Sequence, residues 1–321
     1  MKNKFWKNKN IFITGYEGFL GSNLTKRLIS CGANIVGLDI KVRRKNTILT
    51  ENDYEKIVVV QGNVANYKLL NEIISGYNIE IIFHLAAEAI VGKCLKNPLR
   101  TFTSNIRGSW NILDVCRRLP IVKAIIIASS DKAYGSHSQL PYKENTPLSG
   151  GHPYDVSKSC ADLIAYTYYH TYDLPVVVTR CGNIYGPGDF NFSRIVPDAI
   201  WSILKNKPLI IRSDGNFTRD YIYVDDVVDA YLLSVEKMEE LKLFGEAFNF
   251  SNESPISVLK LVKKIYQGTN KKPDYKILEK AKYEIKHQYL SSKKARRVLG
   301  WQPKITLDEG LKKTIQWYRD Y

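Results

Sequence analysis

Gly15-Tyr16-Glu17-Gly18-Phe19-Leu20-Gly21 follows directly on the apolar run Asn10 to Thr14 and opens an amphipathic stretch, Phe19 to Cys31. Three glycines spaced three apart, between a strand and a helix, let backbone approach a pyrophosphate. The pyrophosphate then meets the free N–H groups and the positive dipole end of the helix. A glycine-rich turn alone is a weak signal, and its context strengthens it. Asp39 ends the next β-branched run, Ala33 to Asp39, about 20 residues on, where a carboxylate hydrogen-bonds the ribose hydroxyls of a dinucleotide. Such a carboxylate repels a 2′-phosphate, so NAD is favoured over NADP, although Lys41 and Arg43 leave the second open.

Outward from this turn, short β-branched runs alternate with longer amphipathic ones. Strands are expected at Lys56 to Gln61, Glu80 to His84, Val122 to Ala128 and Pro175 to Arg180. Helices are expected at Tyr67 to Tyr77, Phe102 to Arg118 and Tyr154 to Tyr172. The expected fold is α/β, a doubly wound parallel Rossmann sheet over residues 1–181, with a smaller mixed α/β substrate lobe over residues 182–321. Gly186-Pro187-Gly188 punctuates the change, and Arg194 to Asn206 reads as a helix beyond it. Some chain is expected to cross back to the first domain.

Further segments fall where a dinucleotide needs walls. Gly62-Asn63-Val64 follows the third strand, where the Asn63 amide could contact adenine. His84-Leu85-Ala86-Ala87 ends the fourth, with small residues permitting close backbone approach, and His84 itself reads as a packed strand-end histidine. After the fifth strand come Ser129-Ser130-Asp131-Lys132-Ala133-Tyr134-Gly135 and then Tyr154-Asp155-Val156-Ser157-Lys158 at a helix start. Tyr154 and Lys158, at i and i+4, share a helical face, so the ammonium can lower the phenol's pKa. The phenolate would take a proton from a substrate hydroxyl that Ser130 holds, while hydride leaves the same carbon.

Together these segments resemble the extended short-chain dehydrogenase/reductases that act on nucleotide sugars. The resemblance rests on Gly15, Gly18 and Gly21, on Asp39, on His84-Leu85-Ala86-Ala87, on Asn105-Ile106-Arg107-Gly108-Ser109, and on Tyr154 with Lys158. It continues through Arg219-Asp220-Tyr221-Ile222-Tyr223-Val224-Asp225-Asp226 to Leu299-Gly300-Trp301-Gln302-Pro303. It implies bound NAD, with Asn105 among its contacts, and Ser130, Tyr154 and Lys158 as a catalytic core. It also implies a sugar nucleotide in the second lobe and a homodimer joined through the helices that contain Phe102 to Arg118 and Tyr154 to Tyr172.

Asp131-Lys132 is similar to the CDP-glucose 4,6-dehydratase branch, where dTDP-glucose dehydratases carry Asp-Glu and 4-epimerases carry small or neutral groups. On that resemblance Asp131 is the acid that protonates the leaving C6 hydroxyl. Lys132 takes the C5 proton only if neutral, and Glu88 is a rival carboxylate for the same cleft. Asn183 and Arg219, with Arg194 third, are expected on the substrate diphosphate, since a guanidinium binds phosphate bidentately. Sugar 4-epimerisation is the alternative reaction.

Composition sets the remaining bounds. The 321 residues leave room for about two domains, and 44% hydrophobic with 25% charged residues excludes long disorder. Five widely spaced cysteines with no Cys-x-x-Cys pair argue against a disulfide framework or zinc site and fit a reducing cytoplasm. The N-terminal Lys2, Lys4, Lys7 and Lys9 precede an apolar run too short for a signal sequence, and no stretch could span a membrane. Lys and Arg outnumber Asp and Glu by 47 to 32, a formal charge of +15, yet the basic runs lack interleaved stacking aromatics. A lysine-rich solvated surface is expected rather than a nucleic-acid platform, and a non-catalytic binding protein would leave Ser130, Tyr154 and Lys158 idle.

Overall fold

The computed structural model describes residues 4–280 and 284–321, so Lys2 lies outside the described residues. The chain divides into two compact units. One comprises Met1–Gly135, Pro147–Arg180 and Val228–Phe248; the other comprises Ser136–Thr146, Cys181–Val227 and Asn249–Tyr321. Two segments therefore interleave with the simple split at residue 181: 136–146 belongs with the later unit and 228–248 with the earlier one.

A seven-stranded sheet, most of it in the first unit, is built on strands β1 (Asn10–Thr14), β2 (Asn34–Asp39), β3 (Ile57–Gln61), β4 (Ile81–His84), β5 (Ala124–Ala128), β6 (Val176–Cys181) and β7 (Ala247–Phe250). Their order across the sheet is β7-β6-β5-β4-β1-β2-β3, and β1 to β6 pair in parallel. The chain runs outward from β1 through β2 to β3, then returns to β4 on the other side. The order thus reverses between β1 and β4, the switch point above whose strand ends doubly wound sheets bind ligands. Ile81-Ile82-Phe83-His84 of β4 is buried throughout, as a strand covered on both faces must be.

Helices α1 (Phe19–Ser30), α2 (Tyr67–Gly76), α3 (Gly108–Arg117) and α4 (Pro153–Tyr172) cover the sheet. On one face Phe12, Val36, Leu38, Ile82, Ile125 and Ile127 pack with Leu70 and Ile73 of α2 and Ile112 and Leu113 of α3. Each such side chain contributes about 1.5–3 kcal/mol through removal of apolar surface from water. Trp6 is fully buried, with its indole N–H on Glu236 and its ring against Phe83, so the N-terminal segment is part of this unit's core.

The one expected helix over Phe102 to Arg118 is instead three pieces: a turn at Pro98–Phe102, a π-helical turn at Thr103–Arg107, and α3. The wide turn carries Asn105 inward, where its side chain bonds the backbone of residue 88. Gly108 then seats α3 on Val64, whose methyl would lie 2.6 Å from a Cβ there.

In the second unit the sheets are small and mixed. Asn183–Tyr185 pairs in parallel with Tyr221–Tyr223, and Leu209–Ile211 with Tyr275–Ile277. Thr218–Arg219 lies between an antiparallel and a parallel neighbour. Its core gathers Tyr185, Ile200, Leu209, Tyr221, Leu261, Ile265, Leu311 and Ile315. All five cysteines are free thiols. Among the described residues no helix is long and apolar enough to cross a membrane, and no group of His, Cys, Asp and Glu is arranged to hold a metal ion.

Candidate active site

The glycine-rich turn leaves β1 with Gly15 at φ +72°, and a Cβ there would lie 2.9 Å from the backbone of Ala86. A Cβ on Gly21 would lie 2.1 Å from the Gly15 carbonyl oxygen, so both positions exclude side chains. Gly18 is the N-cap of α1, and no side chain caps that helix end. Phe19 and Leu20 form its first turn. Leu85, Ala86 and Ala87 follow β4 alongside, with the Ala86 amide on the Thr14 hydroxyl at 3.2 Å. The same hydroxyl meets His84 Nδ1 at 2.8 Å, and Nε2 meets Ser109 Oγ at 3.2 Å. Burial and the nearby Lys158 charge push the His84 pKa down to about 3, so this imidazole stays neutral and structural.

Asp39 is buried at the end of β2. Burial raises its pKa, while the Arg44 guanidinium, which donates to its carboxylate, opposes the rise. Three residues expected at the cofactor also make contacts within the protein. Asn63 Oδ1 accepts from the Ala65 amide at 2.9 Å, closing its own turn, and Val64 is buried against α3. Asn105 Oδ1 accepts from the Glu88 amide, and its Nδ2 donates to the Glu88 carbonyl and to Ser157 Oγ, at 2.7, 3.1 and 2.9 Å. These bonds tie the segment after β4 to α4.

Beyond β5, Ser130 caps a 3₁₀ turn, Asp131–Tyr134. Ser130 Oγ donates to Asp131 Oδ1 at 2.9 Å and accepts from the Lys132 amide at 3.2 Å, while Lys132 Nζ reaches Asp131 Oδ2 at 3.1 Å. The Asp131 carboxylate is thus bracketed by a hydroxyl and an ammonium and is almost wholly buried. Lys158 Nζ donates to the Ala128 carbonyl at 2.6 Å and lies 6.0 Å from the centre of the Tyr154 ring. Burial pushes the Lys158 pKa down to about 8. Ser159 Oγ donates to the Ala133 carbonyl at 2.7 Å, lacing α4 to the Ser130 turn. The sequence-expected Ser130, Asp131 and Lys132 therefore form one cluster, with Tyr154 and Lys158 on the helix laced to it. The Glu88 carboxylate lies 3.8 Å from the Arg100 guanidinium.

In the second unit Asn183 and Arg219 lie on strands of two different small sheets, and Asn183 Nδ2 donates to the carbonyl of Asp220, the residue after Arg219, at 3.3 Å. Arg219 is buried and donates to the carbonyls of Thr218, Ile285 and Lys286, which leaves only part of its fork for a ligand. Arg194 pairs with Asp189 at 3.1 Å.

A family model described as GDP-mannose 4,6 dehydratase matches residues 12–314. The chain belongs to this family. The GDP-mannose 4,6-dehydratase family brings relatives of two kinds. A UDP-glucuronate 4-epimerase of Thermodesulfobacterium geofontis is 30% identical, over 96% of this chain and 95% of its own. A CDP-glucose 4,6-dehydratase of Salmonella typhimurium is 28% identical, over 98% and 92%. Among solved structures, dTDP-glucose 4,6-dehydratase from Bacillus anthracis in complex with NAD superposes with a TM-score of 0.86 at 28% identity, covering 97% of each chain.

One buried acid beside Tyr154 has no role in the reading from sequence. Asp155, next to Tyr154, is buried in the first turn of α4, and burial pushes its pKa up to about 6 against the pull of Lys132. Its signal was an acid adjoining the tyrosine, indistinguishable in sequence from an ordinary first-turn helix acid. In the unfolded chain it ionises near 3.8. Folding therefore resists ionisation, and the wild type loses stability as pH rises from about 4 through 6. Asp155→Asn should gain on the wild type by about 1–3 kcal/mol between pH 4 and pH 7 in urea unfolding, whereas an equal difference at both would contradict the assignment.

Proposed function

We propose that the protein is an NAD-dependent nucleotide-sugar 4,6-dehydratase, CDP-glucose-like, giving a 4-keto-6-deoxy sugar nucleotide. The observation that carries this is the Ser130–Asp131–Lys132 cluster at the end of β5, its carboxylate buried, an acid and an amine that an epimerase does not need. The chain's residues fit NAD: α1 presents an N-terminus with no side-chain cap to a diphosphate, Gly15 and Gly21 exclude side chains from the turn, and Asp39 lies at the ribose position. When bound, NAD takes a hydride from the sugar's C4 and later returns it to C6.

Tyr154 then accepts the C4 hydroxyl proton, with Ser130 holding that oxygen and the Lys158 ammonium stabilising the phenolate. With C4 a ketone, the C5 hydrogen is acidic. Lys132 as an ammonium cannot remove it, and the Asp131 carboxylate beside it favours the ammonium. The 3.1 Å contact resolves this if the pair passes one proton inward. A substrate that excludes water favours neutral amine and carboxylic acid over a buried ion pair. The amine takes the C5 proton and the acid gives its proton to the departing C6 oxygen as water. As hydride reaches C6, the Lys132 ammonium returns a proton to C5. The proton held by Tyr154 passes through solvent to Lys132, which restores the phenolate and the original pair. Asn183, Arg194 and Arg219 serve the diphosphate.

The expected result is that incubation with a panel of nucleotide hexoses gives a product lighter by one water. Asp131→Asn should lower its formation by about 10²–10⁴-fold while C4 oxidation persists. An isobaric product throughout would support the second reading, 4-epimerisation, which the UDP-glucuronate 4-epimerase relative favours.

Free thiols and a basic, lysine-rich surface are consistent with a cytoplasmic enzyme. The exposed apolar side chains Leu99, Trp110, Leu163 and Tyr166 lie on or beside α3 and α4 and support a homodimer through those helices. Light scattering should return twice the chain mass, and half that value for Leu163→Glu/Tyr166→Glu. A wild-type monomer would contradict the dimer.

A further inference from the structure

The chemistry proposed above is split between two elements. Tyr154 and Lys158 stand on α4, whereas Ser130 caps the turn that carries Asp131 and Lys132. Consecutive residues of α4 tie the helix to both ends of that stretch. Lys158 Nζ donates to the Ala128 carbonyl at 2.6 Å, ahead of the turn, and Ser159 Oγ donates to the Ala133 carbonyl at 2.7 Å, inside it. Ser159 is buried, and its hydroxyl also accepts from the Gly150 amide at 3.3 Å. A buried serine within a helix ordinarily spends its proton on the carbonyl four residues back, as Ser234 does on Ala230 at 2.7 Å. In Ser159 the corresponding contact, to Asp155, is the longer one at 3.1 Å, so the hydroxyl is committed across elements.

The backbone around this hydroxyl is close-packed. Gly135 takes φ +70°, and a Cβ there would lie 2.0 Å from the Ser149 carbonyl oxygen. The Ser149 amide donates to the same Ala133 carbonyl at 3.2 Å. The catalytic turn, the loop that leads into α4 and the helix's first turn therefore meet at one buried side chain. Oxidation at C4 needs Ser130, Tyr154 and Lys158, which are held by the end of β5 and the bond to Ala128. Elimination further needs Asp131 and Lys132 to reach C6 and C5 of a sugar already docked on α4, and a misplacement of about 1 Å costs on the order of 10²-fold. The register between helix and turn thus bears on the second step more than on the first.

We propose that Ser159 is a positioning residue that sets the register between α4 and the Asp131–Tyr134 turn, so that the keto sugar formed at Tyr154 meets Asp131 and Lys132 before it can leave. This rests on the dehydratase reading above and adds the residue that couples its two steps.

The test is a single-turnover time course with CDP-glucose and NAD-loaded enzyme, for the wild type, Ser159→Ala and Ser234→Ala. Absorbance reads the reduced cofactor, and mass spectrometry reads the loss of water. Ser159→Ala should slow water loss by about tenfold or more, keep C4 oxidation within about threefold, and release a 4-keto hexose nucleotide that retains its C6 oxygen. Retained oxidation reports that the variant is folded. Ser234→Ala, which loses a helix serine bond of similar length elsewhere, should keep both steps within about threefold of the wild type. The proposal is overturned if Ser159→Ala slows both steps alike, if it slows water loss by less than tenfold, or if Ser234→Ala releases the same keto hexose. A wild type that expels no water from CDP-glucose would overturn the dehydratase reading and this proposal with it, an outcome distinct from a selective loss in Ser159→Ala.

Discussion

Arg180→Leu should destabilise the protein by about 3–5 kcal/mol in urea unfolding, the largest stability effect expected of any single substitution here. Arg180 and Asp162 are both nearly inaccessible to water and meet through two parallel bonds of 2.7 Å, from Nε and Nη2. Arg180 Nη1 also donates to the Tyr134 hydroxyl at 2.8 Å, with the guanidinium 4.9 Å from that ring's centre. Removing the arginine leaves a buried carboxylate with no cation and a buried phenol short of a donor, and each carries a desolvation cost. The pair's net worth is smaller than that figure, because forming it required two charges to leave water. Arg180→Leu/Asp162→Leu should therefore recover much of the loss, and a double variant as unstable as the single would contradict this account. Since Tyr134 closes the Asp131–Tyr134 turn, the single variant should also lose turnover at temperatures where it remains folded.

Tyr154→Phe should lower turnover by about 10²–10⁴-fold with no comparable change in melting temperature or nucleotide binding. The phenol oxygen is the group assigned to the substrate proton, and deleting it leaves the ring and α4 in place. Lys158 acts on that oxygen through charge, and its own proton is held at a cost. With its pKa pushed down to about 8 in the folded state from 10.5, the penalty for the buried ammonium is full below about pH 8 and disappears above about 10.5. A phenylalanine variant as active as the wild type would remove Tyr154 from the chemistry.

Six of the seven sheet strands were legible within two residues, because each is a β-branched run bounded by glycine, asparagine or a charged turn. The seventh, Ala247–Phe250, is only Ala-Phe-Asn-Phe; it becomes a strand because β6 offers it an edge, and no local pattern announces that. The clustering of Ser130, Asp131 and Lys132 was legible for a similar reason, since contiguous residues at a strand end cannot move far apart. What could not be read were side-chain partners set by distant backbone. Asn105, from a π-helical turn, bonds residue 88 and Ser157, partners that no local pattern announces. Arg219, expected on the substrate diphosphate, also donates to three backbone carbonyls.

The central claim is that hydride leaves C4 so that C5 becomes acidic and water is expelled across C5 and C6. Nuclear magnetic resonance of the product from CDP-glucose deuterated at C4 tests it most directly. The account predicts a product lacking one water, with a ketone at C4 and the deuterium in a new methyl group at C6. A product with its C6 hydroxyl intact and the deuterium still on C4, inverted in configuration, would contradict it.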